Sequence, residues 1–169
     1  EIFDSVIHSN YRMTYDAVNK IITDQDSQVR AQYKELTPML DLAQDLSNRL
    51  ISMRRRRGEI DFDINEAKVL VNEEGIPTDV QMRERGEGER LIESFMLAAN
   101  ETVAEHFNKM EVPFIYRVHE QPKSDRLRQF FDFITNFGIM IKGTGEDIHP
   151  TTLQNIQEEV EGRPEQMVI

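Results

Sequence analysis

Hydrophobic residues recur at helical spacing through much of the chain. Between residues 37 and 57, apolar side chains return every three or four positions, which is the period of one face of an α-helix. Thr37 and Pro38 form a helix start signal, and Gly58 is the kind of residue that ends a helix. The pattern predicts a helix whose core-facing stripe contains Met39, Ala43, Leu46, Leu50 and Met53.

A second long helix is predicted over about residues 89–109. It follows Gly86-Glu87-Gly88 and ends before Pro113, a residue that cannot continue a helix. Its predicted core stripe contains Ile92, Phe95, Met96, Ala99, Val103 and Phe107. Shorter helical segments are expected over residues 15–22, 29–36, 124–137 and 152–161.

Short runs of β-branched and aromatic residues predict strands in the remaining segments. Residues 69–71 and 78–82 flank the turn sequence Asn72-Glu73-Glu74-Gly75 and predict a hairpin. Further strands are expected over residues 1–9 and 114–118. With more helix than strand and no internal repeat, the sequence predicts a mixed α and β protein.

Composition narrows the class of protein. The 169 residues fit one domain or a large piece of one, and 38% apolar residues are enough for a core. Apolar stretches are too short for a transmembrane helix, so we expect no membrane partner, and the lack of cysteine excludes disulfides and thiolate chemistry. A cytoplasmic protein is the simplest interpretation. The first residue is Glu1 and Pro164 indicates a helix start near the end, so we expect a piece of a longer protein.

The net charge of −11 argues against a polyanion as partner, because nucleic-acid affinity comes largely from Lys and Arg side chains. A nucleic-acid function would need a local basic patch, or basic domains outside this chain. Residues 54–57, four consecutive arginines, are a candidate patch. Consecutive arginines suit phosphate recognition, but they also suit the C-terminal end of a solvated helix, where positive charge complements the helix dipole.

Two groups of carboxylates are open to two interpretations. Glu59, Asp61 and Asp63 could hold a pair of metal ions on a strand face, or could form a solvated acidic edge. Glu93 lies roughly 100° from the predicted core stripe of its helix, and therefore beside the core. It could accept hydrogen bonds from the hydroxyls of a ligand, or it could tie its helix to a neighbour.

Two aromatic residues are equally open. Phe62 lies between acidic residues after a glycine, and Tyr15 lies at the start of a predicted helix. Either ring could stack on a base or fill the core. The histidines show no metal-binding spacing, and Gly86-x-Gly88 is too short for a phosphate-binding loop. Residue types and spacing alone therefore leave the chemistry undecided.

Five motifs follow one another along the chain: Tyr11-Arg12-Met13-Thr14-Tyr15, Arg57-Gly58 with Asp61-Phe62-Asp63, Arg83-Glu84-Arg85-Gly86-Glu87, Phe95-Met96-Leu97-Ala98-Ala99-Asn100-Glu101 and Pro113-Phe114-Ile115-Tyr116-Arg117-Val118-His119. Together they resemble the ribonuclease II/ribonuclease R (RNB) family of exoribonucleases, most of all the bacterial ribonuclease R branch. The resemblance covers nearly the whole chain. It implies a helix-rich α+β fragment of an RNB catalytic domain with short antiparallel strands, over residues 1–169.

The resemblance also implies an activity. Enzymes of this family degrade single-stranded RNA processively from its 3′ end to nucleoside 5′-monophosphates, with water as nucleophile and Mg²⁺ as cofactor. Tyr15 matches a tyrosine near the scissile phosphate that sets the length of the end product. Phe62 matches the aromatic that closes one side of the base stack, and Glu93 matches a glutamate that contacts the terminal ribose. Tyr15 and Glu93 are thus the expected catalytic residues, and all three are expected to bind RNA.

The chain departs from the family pattern as well. The aspartate cluster that holds Mg²⁺ would lie upstream of Glu1 and an arginine motif downstream of Ile169. We therefore expect no metal ligand in this chain and no activity of the chain in isolation. Apolar surface exposed by such a cut could make it a homodimer. The alternative is a non-catalytic helical interaction module that shares the scaffold.

Overall fold

A computed structural model describes residues 2–61, 66–83, 85–140 and 149–168. Its elements are α1 (Tyr15–Ile22), α2 (Ser27–Gln32), α3 (Thr37–Arg56), β1 (Glu66–Val71), β2 (Pro77–Arg83), α4 (Glu87–Lys109), α5 (Ser124–Thr135), α6 (Pro150–Val160) and a 3₁₀ turn (Pro164–Met167). The predicted helix-rich α+β class with short antiparallel strands is confirmed. Among the described residues, no helix combines the length and apolar character needed to cross a membrane.

The first of two compact units comprises Glu1–Arg49 and Asn65–Ala99. Its core is formed by four buried aliphatic side chains from α1, α3 and α4, which are Ile21, Ile22, Leu40 and Leu91. Thr14 caps the start of α1 by accepting a hydrogen bond from the N–H of Ala17 at 3.3 Å. The helix predicted over residues 15–22 is therefore confirmed.

Helix α3 begins and ends where the sequence predicts. It starts at Thr37 and finishes at Arg56, two residues before Gly58. Gly58 has a φ of +92°, a left-handed conformation that favours glycine. A Cβ at this position would also lie only 3.0 Å from the Cβ of Pro150, at the start of α6. Gly58 therefore ends one helix and lets another approach closely.

The buried face of α3 differs from the predicted stripe. Met39 is 53% exposed and Leu46 is 50% exposed, whereas Leu40 and Ser47 are buried. The buried face is displaced by one residue, which is about 100° around a helix. The prediction was wrong because it counted only apolar residues, and the inward side of α3 includes the polar Ser47.

Helix α4 shows a related displacement. Leu91 and Ser94 are buried, while Ile92 and Met96 are 50% and 52% exposed. The first buried residue of α4 is Gly88, in the first turn of the helix. The predicted helix is confirmed to within about two residues, but the predicted stripe is wrong at three of its positions, since Ala99 is exposed as well. The buried side instead carries Gly88, Leu91 and Ser94, two of which are too small or too polar to count in an apolar stripe.

Strands β1 and β2 form an antiparallel hairpin, as predicted. Val69 pairs with Val80 across the two strands. The side chain of Asn72 shapes the turn, since its Oδ1 accepts hydrogen bonds from the N–H groups of Glu74 and Ile76 at 3.0 and 2.9 Å. An Asx-type turn of this kind joins two strands with little chain between them.

The second unit comprises Leu50–Ile64 and Asn100–Ile169. Its buried core contains Ile134, Ile139, Ile156 and Val160, from α5, the segment after it and α6. His149 caps α6 by accepting a hydrogen bond from the N–H of Thr151, and Pro150 occupies the first turn. Gly138 has a φ of +78° after the end of α5, where the sequence predicts a stop.

Two predicted strands are wrong. Residues 2–9 and 112–123 have no regular secondary structure. A strand requires a neighbouring backbone to satisfy its N–H and C=O groups, and apolar composition alone does not supply one. In the second segment the rings pack instead: Phe114 stacks on Phe107 of α4 with centroids 4.6 Å apart, and Tyr116 meets Phe114 edge-on at 5.3 Å.

Candidate functional site

Tyr15 is the first residue of α1 and lies in the first unit. The cap at Thr14 fixes the backbone that carries it, and the side chain is 42% exposed. A capped helix start holds the Cα–Cβ direction of Tyr15 while leaving the ring in contact with solvent. The prediction that this ring could contact a ligand stays open, and the alternative that it fills the core is wrong.

Glu93 lies in the second turn of α4, in the same unit. Its side chain is 40% exposed, which confirms the predicted position beside the core. The Oε2 atom accepts from Nη2 of Arg85 at 2.6 Å, and the Arg85 side chain is itself 30% exposed. The carboxylate is therefore held by a charge-assisted contact and still reaches solvent.

Asn19 joins α1 to the start of α4. Its Oδ1 accepts from the N–H of Gly88 at 2.7 Å, and its Nδ2 donates to Oε2 of Glu89 at 3.2 Å. Backbone N–H groups in the first turn of a helix have no partner within the helix, so Asn19 satisfies one of them from a distant part of the chain. Tyr15 lies four residues before Asn19 and Glu93 lies four residues after Glu89. We call the contacts of Asn19 with Gly88 and Glu89 the Asn19 clasp. This clasp connects the helical turns that carry the two predicted site residues.

The glycines at the start of α4 make this clasp possible. A Cβ at Gly86 would lie 2.4 Å from Nδ2 of Asn19, and a Cβ at Gly88 would lie 3.0 Å from its Oδ1. The motif Gly86-x-Gly88 therefore marks a close approach of Asn19. Residue types and spacing did not identify Asn19 or Arg85 as site residues. The paired glycines were the available signal, because close backbone approach is a common reason for glycine in a helix start.

The arginine run lies in the second unit, and two of its members are held in ion pairs. Arg54 is buried, and its Nε donates to Oε1 of Glu59 at 2.8 Å. Arg57 donates through Nη2 to both carboxylate oxygens of Glu101, at 3.1 and 3.2 Å. Arg55 and Arg56 are exposed. These pairs favour the structural interpretation for Arg54 and Arg57 over a phosphate clamp.

The carboxylates considered for metal binding do not converge in the part of the chain that is described. Glu59 is paired with Arg54, and the backbone carbonyl of Asp61 accepts from Nε2 of Gln157 at 2.5 Å. Asp63 and the predicted base-stacking residue Phe62 lie outside the described residues. Within the described ranges, no group of three or more His, Asp or Glu side chains is placed to hold a metal ion.

Tyr11 precedes Tyr15 in the first motif and is tied to the turn before α3. Its hydroxyl donates to Oε2 of Glu35 at 2.8 Å. This hydrogen bond, together with the negative charge of Glu35, raises the pKa of Tyr11 above its usual value. The contact anchors the segment that leads into α1.

The sequence matches the RNB domain over residues 1–169. The chain belongs to the RNB domain family. Ribonuclease R 1 of Lactococcus lactis subsp. lactis is 47% identical over 169 residues, which are 100% of this chain and 21% of that protein. Ribonuclease R of Thermotoga maritima is 40% identical over 168 residues, covering 97% of this chain and 23% of that protein. The chain thus spans about a fifth to a quarter of the length of these relatives.

The fold is similar to solved RNB structures as well. The structure of Mycoplasma genitalium RNase R in complex with ribose methylated single-stranded RNA superimposes with a TM-score of 0.75 and 25% sequence identity. The match covers 90% of this chain and 23% of that one. Sequence and fold therefore agree on the family, and the resemblance expected from the motifs is confirmed.

Of the three predicted site residues of this RNB chain, the structure describes two, Tyr15 and Glu93. Tyr15 and Glu93 both lie in the first unit, half-exposed, on helices that Asn19 connects. Phe62 lies outside the described residues, so its predicted base contact stays a prediction. The roles expected for all three residues belong to the proposal below.

Proposed function

We propose that this chain is part of a 3′→5′ exoribonuclease that hydrolyses single-stranded RNA processively to nucleoside 5′-monophosphates in the bacterial cytoplasm. The observation that carries the proposal is the RNB match over residues 1–169, together with relatives named ribonuclease R. The bound single-stranded RNA in the similar mycoplasma structure supports RNA as the ligand. The absence of cysteine is compatible with a reducing compartment.

In this proposal the chain supplies the wall of the cavity that stacks bases and contacts ribose. Tyr15 contacts RNA near the scissile phosphate, Phe62 closes the base stack and Glu93 accepts a hydrogen bond from a terminal 2′-hydroxyl. The exposed ring of Tyr15 and the half-exposed carboxylate of Glu93 support these roles, because each is accessible yet held by its helix. A carboxylate acceptor near the sugar would favour RNA over DNA.

The enzyme's Mg²⁺ would polarise the phosphate and supply hydroxide as nucleophile. The described residues of this chain do not fit that role, since Glu59 is paired with Arg54 and the described acidic residues do not converge. We propose that the magnesium ligands come from another part of the enzyme. In this proposal the described residues of this chain orient the RNA, and the metal ion is held elsewhere.

The proposal is tested with the full-length protein that contains this chain. The protein is incubated with 5′-labelled single-stranded RNA and Mg²⁺, and products are resolved on a sequencing gel. We expect a ladder that shortens from the 3′ end and ends at a short limit product. A protein that leaves the RNA intact, or that cuts internally first, would refute the proposal.

We propose that the 169-residue chain alone is inactive, because the resemblance implies a magnesium-binding aspartate cluster and a catalytic arginine motif that match no residues of this chain. The same gel assay, with the full-length protein as active control, tests this. An Mg²⁺-dependent ladder from contaminant-free chain would contradict the assignment and would direct attention back to Glu59, Asp61 and Asp63 as ligands.

The chain alone is also proposed to self-associate through apolar surface. One face of the hairpin carries Val69, Val71, Val80 and Met82, all between 53% and 67% exposed. An apolar hairpin face is rarely left in water. Light scattering should give a mass above that of one chain, and Val69→Thr with Val80→Thr should reduce it. A monomer at micromolar concentration would contradict the proposal.

A further inference from the structure

We propose that Arg85 is the positioning residue for the carboxylate of Glu93, and that this pair sets the preference for ribose at the 3′ end of the substrate. The inference rests on the proposed function, because it takes Glu93 as the group that contacts the sugar. It adds a residue to that site and assigns it a measurable role in specificity.

The contact between the two side chains is close and partly shielded from water. Nη2 of Arg85 lies 2.6 Å from Oε2 of Glu93, and the two side chains are 30% and 40% exposed. Arginine stays charged at all relevant pH values, so the contact persists whenever Glu93 is ionised. Charge-assisted hydrogen bonds are stronger and more directional than neutral ones.

The spacing of the pair distinguishes it from an ordinary ion pair along one helix. The two residues are eight positions apart, so the contact is not the usual pairing of neighbours one turn apart on a helix. By contrast, Arg49 pairs with Asp45, four positions away, with both side chains more than 60% exposed. Arg85 lies before α4 and its side chain extends along the first two turns of that helix.

The backbone that carries Arg85 is held by the Asn19 clasp. Gly86 follows Arg85 directly and abuts Asn19, and the N–H of Gly88 donates to the same side chain at 2.7 Å. The start of α4 therefore cannot turn without breaking these contacts. This arrangement gives the guanidinium a defined approach to Glu93 and links its position to the helix that carries Tyr15.

The chemistry of the pair explains a preference for ribose. A carboxylate has acceptor sites on both oxygens, so an ion pair through Oε2 is compatible with a hydrogen bond accepted by Oε1 from a hydroxyl. Without Arg85, Glu93 gains rotamers that point away from the sugar, and fewer of its conformations can accept that bond. A deoxyribose offers no donor at this position, so its binding should depend little on the pair.

The experiment measures binding by the full-length protein in EDTA, so that no cleavage occurs. Two labelled oligonucleotides are compared, an RNA and the same sequence with 2′-deoxyribose at the terminal sugars. The dissociation constant of the deoxy-substituted oligonucleotide, divided by that of the RNA, reports the preference for ribose. We expect Arg85→Ala to lower this ratio by about 3–10-fold, which is the range for an ordinary hydrogen bond, because Glu93 remains and only its positioning is lost. Arg49→Ala, which breaks an exposed pair in the same unit, should leave it unchanged.

Three further variants separate positioning from general stability. Glu93→Gln should lower the ratio, and Arg85→Ala added to Glu93→Gln should lower it no further, because both changes remove one interaction. Arg85→Lys should restore part of the ratio, and it serves in place of Arg85→Ala should that variant unfold. If the Arg85 variants weaken the binding of both oligonucleotides equally, the ratio is retained and the inference is overturned. The proposed function would then still stand. Wild-type protein that does not bind RNA would instead refute the proposed function.

Discussion

Oδ1 of Asn19 accepts a hydrogen bond from the backbone N–H of Gly88 at 2.7 Å, across 69 positions of the chain. A side chain in the second turn of α1 thereby caps the first turn of α4. Helix caps usually come from the residue directly before the helix. Here the cap comes from another helix, so it stabilises α4 and joins two elements of the first unit at once.

Removing the cap should destabilise the chain. We expect Asn19→Ala to lower the free energy of unfolding by about 1–2 kcal/mol, since it leaves a helix N–H unsatisfied and removes the contact to Glu89. Urea denaturation followed by circular dichroism measures this. Asn108→Ala, an exposed position near the end of α4, is the matched control and should change stability by less than about 0.5 kcal/mol. Equal values for the two variants would show that the clasp does not stabilise the fold.

The fit between Gly86 and Asn19 predicts a non-additive pair of substitutions. A Cβ at Gly86 would lie 2.4 Å from Nδ2 of Asn19, so Gly86→Ala forces this side chain to move. We expect a loss of about 1–3 kcal/mol in the wild-type background and a clearly smaller loss when Asn19→Ala is already present. Thermal or urea unfolding of the four proteins completes the cycle. Additive losses would mean that the two positions do not meet.

The buried ion pair of the second unit should contribute more to the free energy of unfolding than an exposed ion pair does. Glu59→Ala removes the carboxylate beside Arg54, whose side chain is only 10% exposed. We expect a loss of about 1–3 kcal/mol, because a largely buried charge loses a close partner. Asp45→Ala breaks the exposed pair with Arg49 and should cost less than about 0.5 kcal/mol. A loss of similar size in both variants would contradict the structural role assigned to Arg54.

Tyr15 should control the limit product of the full-length enzyme. If its ring contacts the RNA near the scissile phosphate, Tyr15→Ala should change the length at which shortening stops, because the last nucleotides lose a contact. Tyr15→Phe, which keeps the ring, should preserve most of that contact if stacking dominates. Product lengths are determined on a sequencing gel. Identical limit products from wild type and Tyr15→Ala would remove Tyr15 from the proposed site.

The hydrogen bond between Tyr11 and Glu35 predicts an alkaline effect. The pKa of Tyr11 is raised above its usual value, so this bond contributes stability below the unfolded pKa near 10. That contribution is lost as the pH rises through the higher folded pKa. Spectrophotometric titration should show one tyrosine with a raised pKa, and Glu35→Gln should bring it back toward the usual value. Wild type and Glu35→Gln titrating alike would contradict the assignment.

Local signals in the sequence predicted where most elements begin and end. Thr37 and Pro38 marked the start of α3, and Gly58 marked its end. These signals act within one helical turn, so they can be recognised in the sequence without knowledge of the rest of the fold. The hairpin was predicted for the same reason, since Asn72 organises its turn through neighbouring N–H groups.

The sequence did not correctly predict which faces of the long helices are buried. Leu40 with Ser47 on α3, and Leu91 with Ser94 on α4, are buried, whereas Met39, Leu46 and Met96 are not. Which face is buried depends on the neighbour that packs against it, and a small polar residue can be favoured there for its size. Counting apolar residues along one helix does not include that neighbour.

The sequence by itself determined the family, the helix-rich class, the local caps and stops, and the choice of Tyr15 and Glu93 as candidate site residues. Only the tertiary structure decided that Asn19 clasps Gly88, that Arg85 holds Glu93, and that Arg54 and Arg57 are engaged by carboxylates. Local signals depend on residues within a turn of each other. The Asn19–Gly88 and Arg57–Glu101 contacts join residues 69 and 44 positions apart, and side-chain partners at such distances are set by how the chain folds back on itself.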